Sequence, residues 1–568
     1  MNGAIPRTLP LRQIMSTRRT IAKSVLMLGV CAFGFSVVGA TLRRRPAIEP
    51  PRDVDKPYMA DSFQTSLATV NSKLANSVAA AGLETAPPAD SLTIAKRATL
   101  AMVGSGMSYE EIRALQVIPE ANRVRWWTSR MLEDRRWSDY FAQRLSRAYV
   151  GTANGPFLLF RRRKFNAWIA EQLAKDTGYD QLAHSMISAD GLWTDTPQVN
   201  FVTATMDETD NGRGDPIRLA GRTSRAFLAQ RIDCLQCHDD FLDKLNFGTE
   251  VSPVPGEQEH FHSLAAFYAG TAAKNPFKGI VEDNEKYRFK FLGEAETREV
   301  TAAVPFRADL LPTDDKPRKR LADWVTHPEN RAFSRAAVNR IWALMFSRPL
   351  VVPVDDIPTD SPVPEVLDVL ADDFVAHGFS IKRLIRLIVE SDAFQRDSRT
   401  DFEVKECHED SWAVFPISQL RPEQVAGRLL QACSLTALDS TSSIFTQLKA
   451  YGDTQDFLQR FGDKGEDGFE TDSVSIPQRL IMMNGNLVTE RIKVDLVANA
   501  ATRIATMVRG DSEAVDAIFL TVLNRIPSPA ESQTFTEYIC GKNGDMRSRA
   551  VSDIYWALLN STEFSWNH

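Results

Sequence analysis

The chain has 568 residues, 43% of them apolar and 25% charged, with 29 Gly and 29 Pro. These are ordinary globular proportions, which exclude a collagen-like chain, a disordered chain and a multi-span membrane protein. Lys and Arg total 67 against 73 Asp and Glu, a net charge of -6, and there are only six cysteines, so neither nucleic-acid binding nor a disulfide scaffold is expected.

No acidic residue precedes Glu49, whereas Arg7, Arg12, Arg18, Arg19 and Lys23 stand before an apolar run, Ser24–Leu42. Those 19 residues would span about 28 Å as a helix, close to the ~30 Å hydrocarbon core of a bilayer. A basic flank stays in the cytoplasm, which directs the remainder outward, to the periplasm or cell envelope. Val38-Gly39-Ala40 offers small residues for signal-peptidase cleavage. The arginines at 43, 44 and 45 oppose translocation and leave an uncleaved anchor open as the alternative. Residues 1–42 therefore read as a signal peptide or an N-terminal inner-membrane anchor, and the only membrane contact expected is through them. Thr17–Lys23 also approximates a twin-arginine export signal.

Residues 43–60 contain Pro46, Pro50, Pro51 and Pro57 and read as a linker. Beyond them the pattern is mainly helical. Ser380 can cap a helix in which Ile381, Leu384, Ile385 and Ile388 recur at i, i+3, i+4 and i+7. Lys382, Arg383 and Arg386 fall on its solvated face. Similar stripes run through 125–150, 165–186, 331–346, 364–377, 422–435 and 512–523. Strand-like alternation is confined to 286–305, as in Tyr287-Arg288-Phe289-Lys290-Phe291. The polar segments Leu311–Arg318 and Arg396–Ser411 divide the exported part into 61–310, 318–395 and 412–568. Asp463–Ser473, rich in Gly and acidic residues, reads as an exposed loop. The predicted fold is mainly α and multi-domain, with a small β element near 286–305.

One motif carries specific chemistry. Asp233-Cys234-Leu235-Gln236-Cys237-His238-Asp239 contains Cys-x-x-Cys-His, the attachment pattern of c-type haem. Two thiols three positions apart can reach two carbons on one porphyrin edge, and the adjoining imidazole then ligates iron. Cys234 and Cys237 would bind the cofactor, haem c, and His238 would be the metal ligand. Three other readings stay open: a structural disulfide, a zinc half-site and a redox dithiol. Zinc needs two further ligands, and Cys407, Cys433 and Cys540 supply no second Cys-x-x-Cys. A thioredoxin-like dithiol needs a βαβ context that helical flanks do not offer. Asp233, Asp239 and Asp240 crowd the motif with negative charge, which should raise the thiol pKa values.

The motif sits in a recognisable frame. Its marks include Gly221-Arg222-Thr223-Ser224-Arg225-Ala226-Phe227-Leu228 before the cysteines and His262-Ser263-Leu264-Ala265-Ala266-Phe267-Tyr268 after them. Further on stand Val338-Asn339-Arg340-Ile341-Trp342, Val354-Asp355-Asp356, Asp372-Asp373-Phe374-Val375-Ala376-His377-Gly378-Phe379 and Pro477-Gln478-Arg479-Leu480-Ile481-Met482-Met483-Asn484-Gly485. With these, the chain resembles the paired exported families of unknown function first noted beside planctomycete cytochrome domains. The resemblance implies an exported, mainly helical protein with cytochrome-type or twin-arginine-exported neighbours, and no established reaction. Members usually continue the motif as His-Asp-His with an Asp-Pro pair. Here Asp240 takes the second His position and Lys244 follows Asp243.

Other candidates have plainer readings. His260 and His262 suit a metal or a sixth haem ligand, but read first as a surface loop. Met482 and Met483 are thioether alternatives in an apolar helix. Asp355-Asp356 and Asp372-Asp373 are carboxylate pairs of the kind glycosidic chemistry uses. The first reads as a turn beside a helix cap, the second as a polar helix face with a salt bridge. Trp126, Trp127 and Trp137 have helical spacing and read as core. No nucleophile elbow, phosphate loop, dinucleotide fingerprint or His-Glu-x-x-His occurs. The functions in contention are a haem-bearing electron-transfer protein with a redox partner, an envelope scaffold with a disulfide or structural metal at the same cysteines, and a polysaccharide-related hydrolase. The localisation reading predicts that a reporter fused after residue 60 is active only outside the cytoplasm; activity inside the cytoplasm would refute it.

Overall fold

The computed structural model describes residues 54–152, 160–206, 212–242, 244–249, 251–273, 278–359, 362–462, 469, 476–485, 488 and 499–568. Ser24–Leu42, Arg18, Arg19, Asp243 and, apart from Phe469, the segment 463–473 lie outside the described residues. No described helix is long and apolar enough to cross a membrane.

The fold is mainly α with small β elements. Among the described residues the strands form three two-stranded antiparallel sheets: Thr271–Ala272 with Val281–Glu282, Arg288–Phe289 with Arg298–Glu299, and Ser418–Gln419 with Trp566–Asn567. The alternation at 286–305 has a visible cause. Tyr287, Phe289 and Phe291 recur with period two and meet one imidazole, His262, whose ring centroid lies 3.4 Å from that of Phe289.

Helix boundaries follow local chemistry. The Asp90 carboxylate accepts the Leu92 and Thr93 N–H groups and opens the helix Ser91–Val103. Gly104 closes it at φ +69°, a left-handed cap where a Cβ would strike the Tyr140 ring at 2.3 Å. Ser380 accepts the Arg383 N–H at 3.1 Å, and Ile381, Leu384, Ile385 and Ile388 are all buried. The outer face of that helix is not simply solvated: Arg383 donates to both Asp373 oxygens at 2.8 and 2.9 Å.

Two apolar clusters form the core. The larger gathers side chains from Tyr58 through Phe415 together with Leu520, and the smaller gathers Leu420 through Phe564 together with Leu100. Ser91–Val103 serves both, with Ala98 and Met102 in the first and Leu100 in the second. The core continues across the polar segment 311–318, because the helix Pro317–Val325 packs on Tyr179–Ser188. Arg318, at the end of that segment, is fully buried and donates to the Ile187 and Ala189 carbonyls at 3.3 and 2.9 Å. The segment 43–60 also ends in packed chain. Pro57 sits in the first turn of the short helix Lys56–Met59, and Tyr58 is fully buried edge-on to Phe63.

Trp126, Trp127 and Trp137 are core residues, and the Trp127 indole N–H donates to Thr99 Oγ1 at 2.8 Å. Trp127→Ala should cost about 3–5 kcal/mol by leaving a cavity and removing the N–H that the Thr99 oxygen accepts, while the Thr99 hydroxyl keeps its own bond to the Ala95 carbonyl. Urea unfolding followed by circular dichroism checks this, and an unchanged midpoint would contradict it.

Candidate functional site

The segment leading into the cysteines starts at the helix Pro216–Thr223 and runs through one wide helical turn, Ser224–Leu228. Ala229 then adopts φ +48°, a left-handed conformation costly for a residue with a Cβ. Neighbouring bonds hold it there. The Ala229 carbonyl accepts the Ile357 N–H at 2.8 Å, and Gln230 Nε2 donates to the Ile357 carbonyl at 2.5 Å. Arg231 follows, donating to Asp355 Oδ1 through Nη2 at 2.6 Å and Nε at 2.9 Å. Arg225 donates to Asp233 at 2.6 Å and approaches Asp355 Oδ2 at 3.9 Å. Asp355 itself is buried. The pair Asp355-Asp356 does lie in the turn that its prolines indicated, closed by the Asp356 N–H on the Pro353 carbonyl at 3.2 Å, but it caps no helix. It is the far half of an ion-pair cluster that clamps the chain just ahead of Cys234.

The cysteines occupy a single tight 3-10 turn, Asp233–Gln236, closed by the Cys237 N–H on the Cys234 carbonyl at 3.2 Å. Three residues per turn eclipses positions i and i+3, so Cys234 and Cys237 fall on one side. Both are exposed and free. Leu235 points inward and is fully buried. Gly221 allows the preceding helix to approach, since a Cβ there would lie 2.9 Å from Asp233 Oδ1.

The helix Gln258–Ala266 braces the turn from the other side. Gln258 Nε2 donates to the Gln236 carbonyl at 2.9 Å, and the Gln258 N–H donates to Asp239 Oδ1 at 2.7 Å. His260 and His262 belong to this helix, which corrects their reading as a surface loop. His262 is fully buried. Its Nε2 lies 3.1 Å from the Gln236 carbonyl, which can only accept, so Nε2 carries the hydrogen and Nδ1 accepts the Tyr287 hydroxyl at 2.8 Å. Both nitrogens are thus engaged, and burial holds the ring pKa below its ordinary value. His262 supports the turn and offers no free ligand atom.

His238 differs. Its Nδ1 lies 2.7 Å from the Asp239 carbonyl; a carbonyl only accepts, so Nδ1 bears the hydrogen of the neutral ring. Nε2 is left as a bare lone pair, with no partner among the described residues. A backbone-anchored imidazole with an open nitrogen is the arrangement metal-ligating histidines use. Its ring stacks on Phe241 at 4.7 Å, and Phe241 and Leu242 are each 71% exposed, an apolar surface beside the thiols.

The other candidates lie elsewhere. Met482 is buried in the second core cluster and Met483 is exposed on the same helix. Asp372 pairs with Arg331 and Asp373 with Arg383, the salt-bridged helix face that the sequence indicates. Among the described residues no group of three or more His, Cys, Asp or Glu side chains is placed to hold a metal ion. Sequence reasoning missed Arg225 and Arg231, whose value depends on Asp355 more than a hundred positions away.

Burial raises the Cys234 thiol pKa above its ordinary value, with Asp240 and Asp233 adding to the rise, as the acidic flanks predict. Asp240→Asn removes the larger of the two negative charges, so the thiolate fraction at pH 8 rises. Iodoacetamide should therefore alkylate Cys234 faster in that variant. Peptide mapping by mass spectrometry reads the rate, and equal or slower alkylation would contradict the electrostatic cause.

Two family models match the chain: Protein of unknown function (DUF1549) over residues 69–271, and Protein of unknown function (DUF1553) over residues 317–467. The cysteine turn lies in the first match and Asp355 in the second. No curated protein and no solved structure matches. With more than half its length covered by the two models in this order, the chain belongs to the planctomycete-type pair of families of unknown function.

Proposed function

We propose that the protein is an exported cell-envelope protein that carries a c-type haem on Cys234, Cys237 and His238 and passes electrons to a redox partner. The observation that carries this reading is the hydrogen bond fixing His238: Nδ1 is spent on the Asp239 carbonyl, which leaves Nε2 without a partner among the described residues. Two exposed thiols on one side of a rigid turn supply the attachment points. Phe241 and Leu242 supply apolar surface for one face of a planar group. The bound haem would contribute one-electron redox chemistry. The chain's own part is to hold the thiols and imidazole on a braced turn. Asp233, Asp239 and Asp240 would favour the oxidised, more positive iron and lower its reduction potential. Export agrees with the basic segment before Ser24–Leu42, since haem attachment takes place outside the bacterial cytoplasm.

A second reading has its own support. The same eclipsed placement that suits two thioether bonds also suits a Cys234–Cys237 disulfide, and the raised Cys234 pKa makes that pair an inert one rather than a catalytic dithiol.

The two readings separate in one experiment. The full chain is produced with the haem-attachment machinery and assayed by visible spectrum and pyridine haemochrome. A covalent c-type spectrum is expected, reduced to at most one thioether link in Cys234→Ala or Cys237→Ala and altered in spin state in His238→Ala. No Soret band in any of these proteins, with a mass two hydrogens below the reduced chain, would overturn the haem and establish the disulfide.

A further inference from the structure

A second site lies away from the cysteines, where several separate stretches of the chain meet. A cavity of ≈ 450 Å³ is lined by the start of the helix Ser91–Val103, by Asp397 and Arg399, by Arg525–Ser528 and by His568. Lys96 lines it and is 2% exposed. Its Nζ makes one side-chain hydrogen bond, to His568 Nε2 at 3.2 Å, and forms no ion pair among the described residues. His568 Nε2 is also 3.5 Å from Glu563 Oε1. A buried lysine normally has a carboxylate. Here the nearby carboxylates are taken up elsewhere: Glu563 by Arg525, Asp90 by the helix cap and Glu120 by Arg123. Arg399 is the opposite case. It is exposed at the cavity lining, and its side chain has no partner among the described residues.

We propose that Lys96 is a reactive amine that forms a reversible imine with a small oxo-acid in this cavity, the carboxylate of the oxo-acid pairing with Arg399. The nitrogen lone pair adds to the carbonyl carbon. As the C=N bond forms, the two amine hydrogens and the carbonyl oxygen leave together as one water, with no change of oxidation state and no co-reactant. His568 Nε2 is close enough to relay a proton from nitrogen to the departing oxygen.

The step requires an uncharged amine, and the surroundings provide one. Burial first, then the positive charges of Arg428, Arg97 and Arg399, pull the Lys96 pKa down to about 7, with Glu563 opposing them. Asp90, Asp397, Glu120, Arg123 and Arg525 complete the charged lining. Desolvation beside other cations is a recognised way to activate a lysine.

The test uses glyoxylate as the oxo-acid and acetaldehyde as a carbonyl without a carboxylate, each trapped with cyanoborohydride on the purified full chain and mapped by mass spectrometry. Glyoxylate should label Lys96 ahead of the exposed lysines, with a rate that is half-maximal near neutral pH, and Lys96→Met should abolish that label. Arg399→Gln alters an exposed residue and should leave the fold intact. Compared at pH 9, where Lys96 is uncharged in both proteins, it should slow glyoxylate labelling of Lys96 several-fold and leave acetaldehyde labelling unchanged. Labelling confined to surface lysines with an alkaline rise would overturn the reactive amine. Equal effects of Arg399→Gln on both reagents would overturn the oxo-acid.

Discussion

A buried carboxylate, Asp355, is the constraint on which the candidate site depends. Taking a carboxylate out of water is costly unless cations and hydrogen-bond donors replace its hydration. Arg231 and Arg225 do so from the neighbouring family segment, and this requirement fixes the chain between them. Ala229 is held in a left-handed conformation, its carbonyl is bonded to Ile357, and Asp233 is drawn to Arg225. The tight turn bearing Cys234 and Cys237 begins at that residue. Both arginines are about two-fifths exposed, so water screens the attraction. The value of the pairs lies more in geometry than in stability.

The same device recurs on a larger scale. Arg97 is fully buried and donates to the carbonyls of Phe394, Arg396 and His568 and to Ser398. Arg428 donates to the Phe564 and Val522 carbonyls. A guanidinium offers five donors in a rigid fork, so one side chain can satisfy carbonyls from separate segments. Arg97 thereby joins the first part of the chain to the last, and Arg428 ties the helix Pro422–Ala432 to the chain's final residues, where few strands exist to do so. The cavity at Lys96 opens beside this junction, which is why residues distant in sequence converge there.

Much of the architecture was legible in the sequence. The stripe Ile381, Leu384, Ile385 and Ile388 with Ser380 as its cap is local information, because helix periodicity and capping depend on neighbours within four positions. The aromatic alternation at 287–291 marked the small sheet for the same reason. The motif Cys234, Cys237 and His238 was readable as spacing, and the acidic flanks as a raised thiol pKa. What stayed hidden was non-local. Prolines around Asp355 indicated a turn, and nothing nearby announced that its charge would be spent on Arg231. His262 read as surface because a histidine two places from another carries no mark of burial; the three aromatics that enclose it lie 25 to 29 positions on. The burial of Arg318 was equally hidden, since it rests on carbonyls contributed from the helix Tyr179–Ser188 and its C-terminal end.

The claim that Asp355 holds the cysteine turn in place is tested most directly by amide hydrogen exchange over residues 229–238 in the natural chain and in Asp355→Asn. The account predicts faster exchange in that stretch of the variant, with the helix Ile381–Glu390 unchanged. Identical exchange over 229–238 in the two proteins would contradict it.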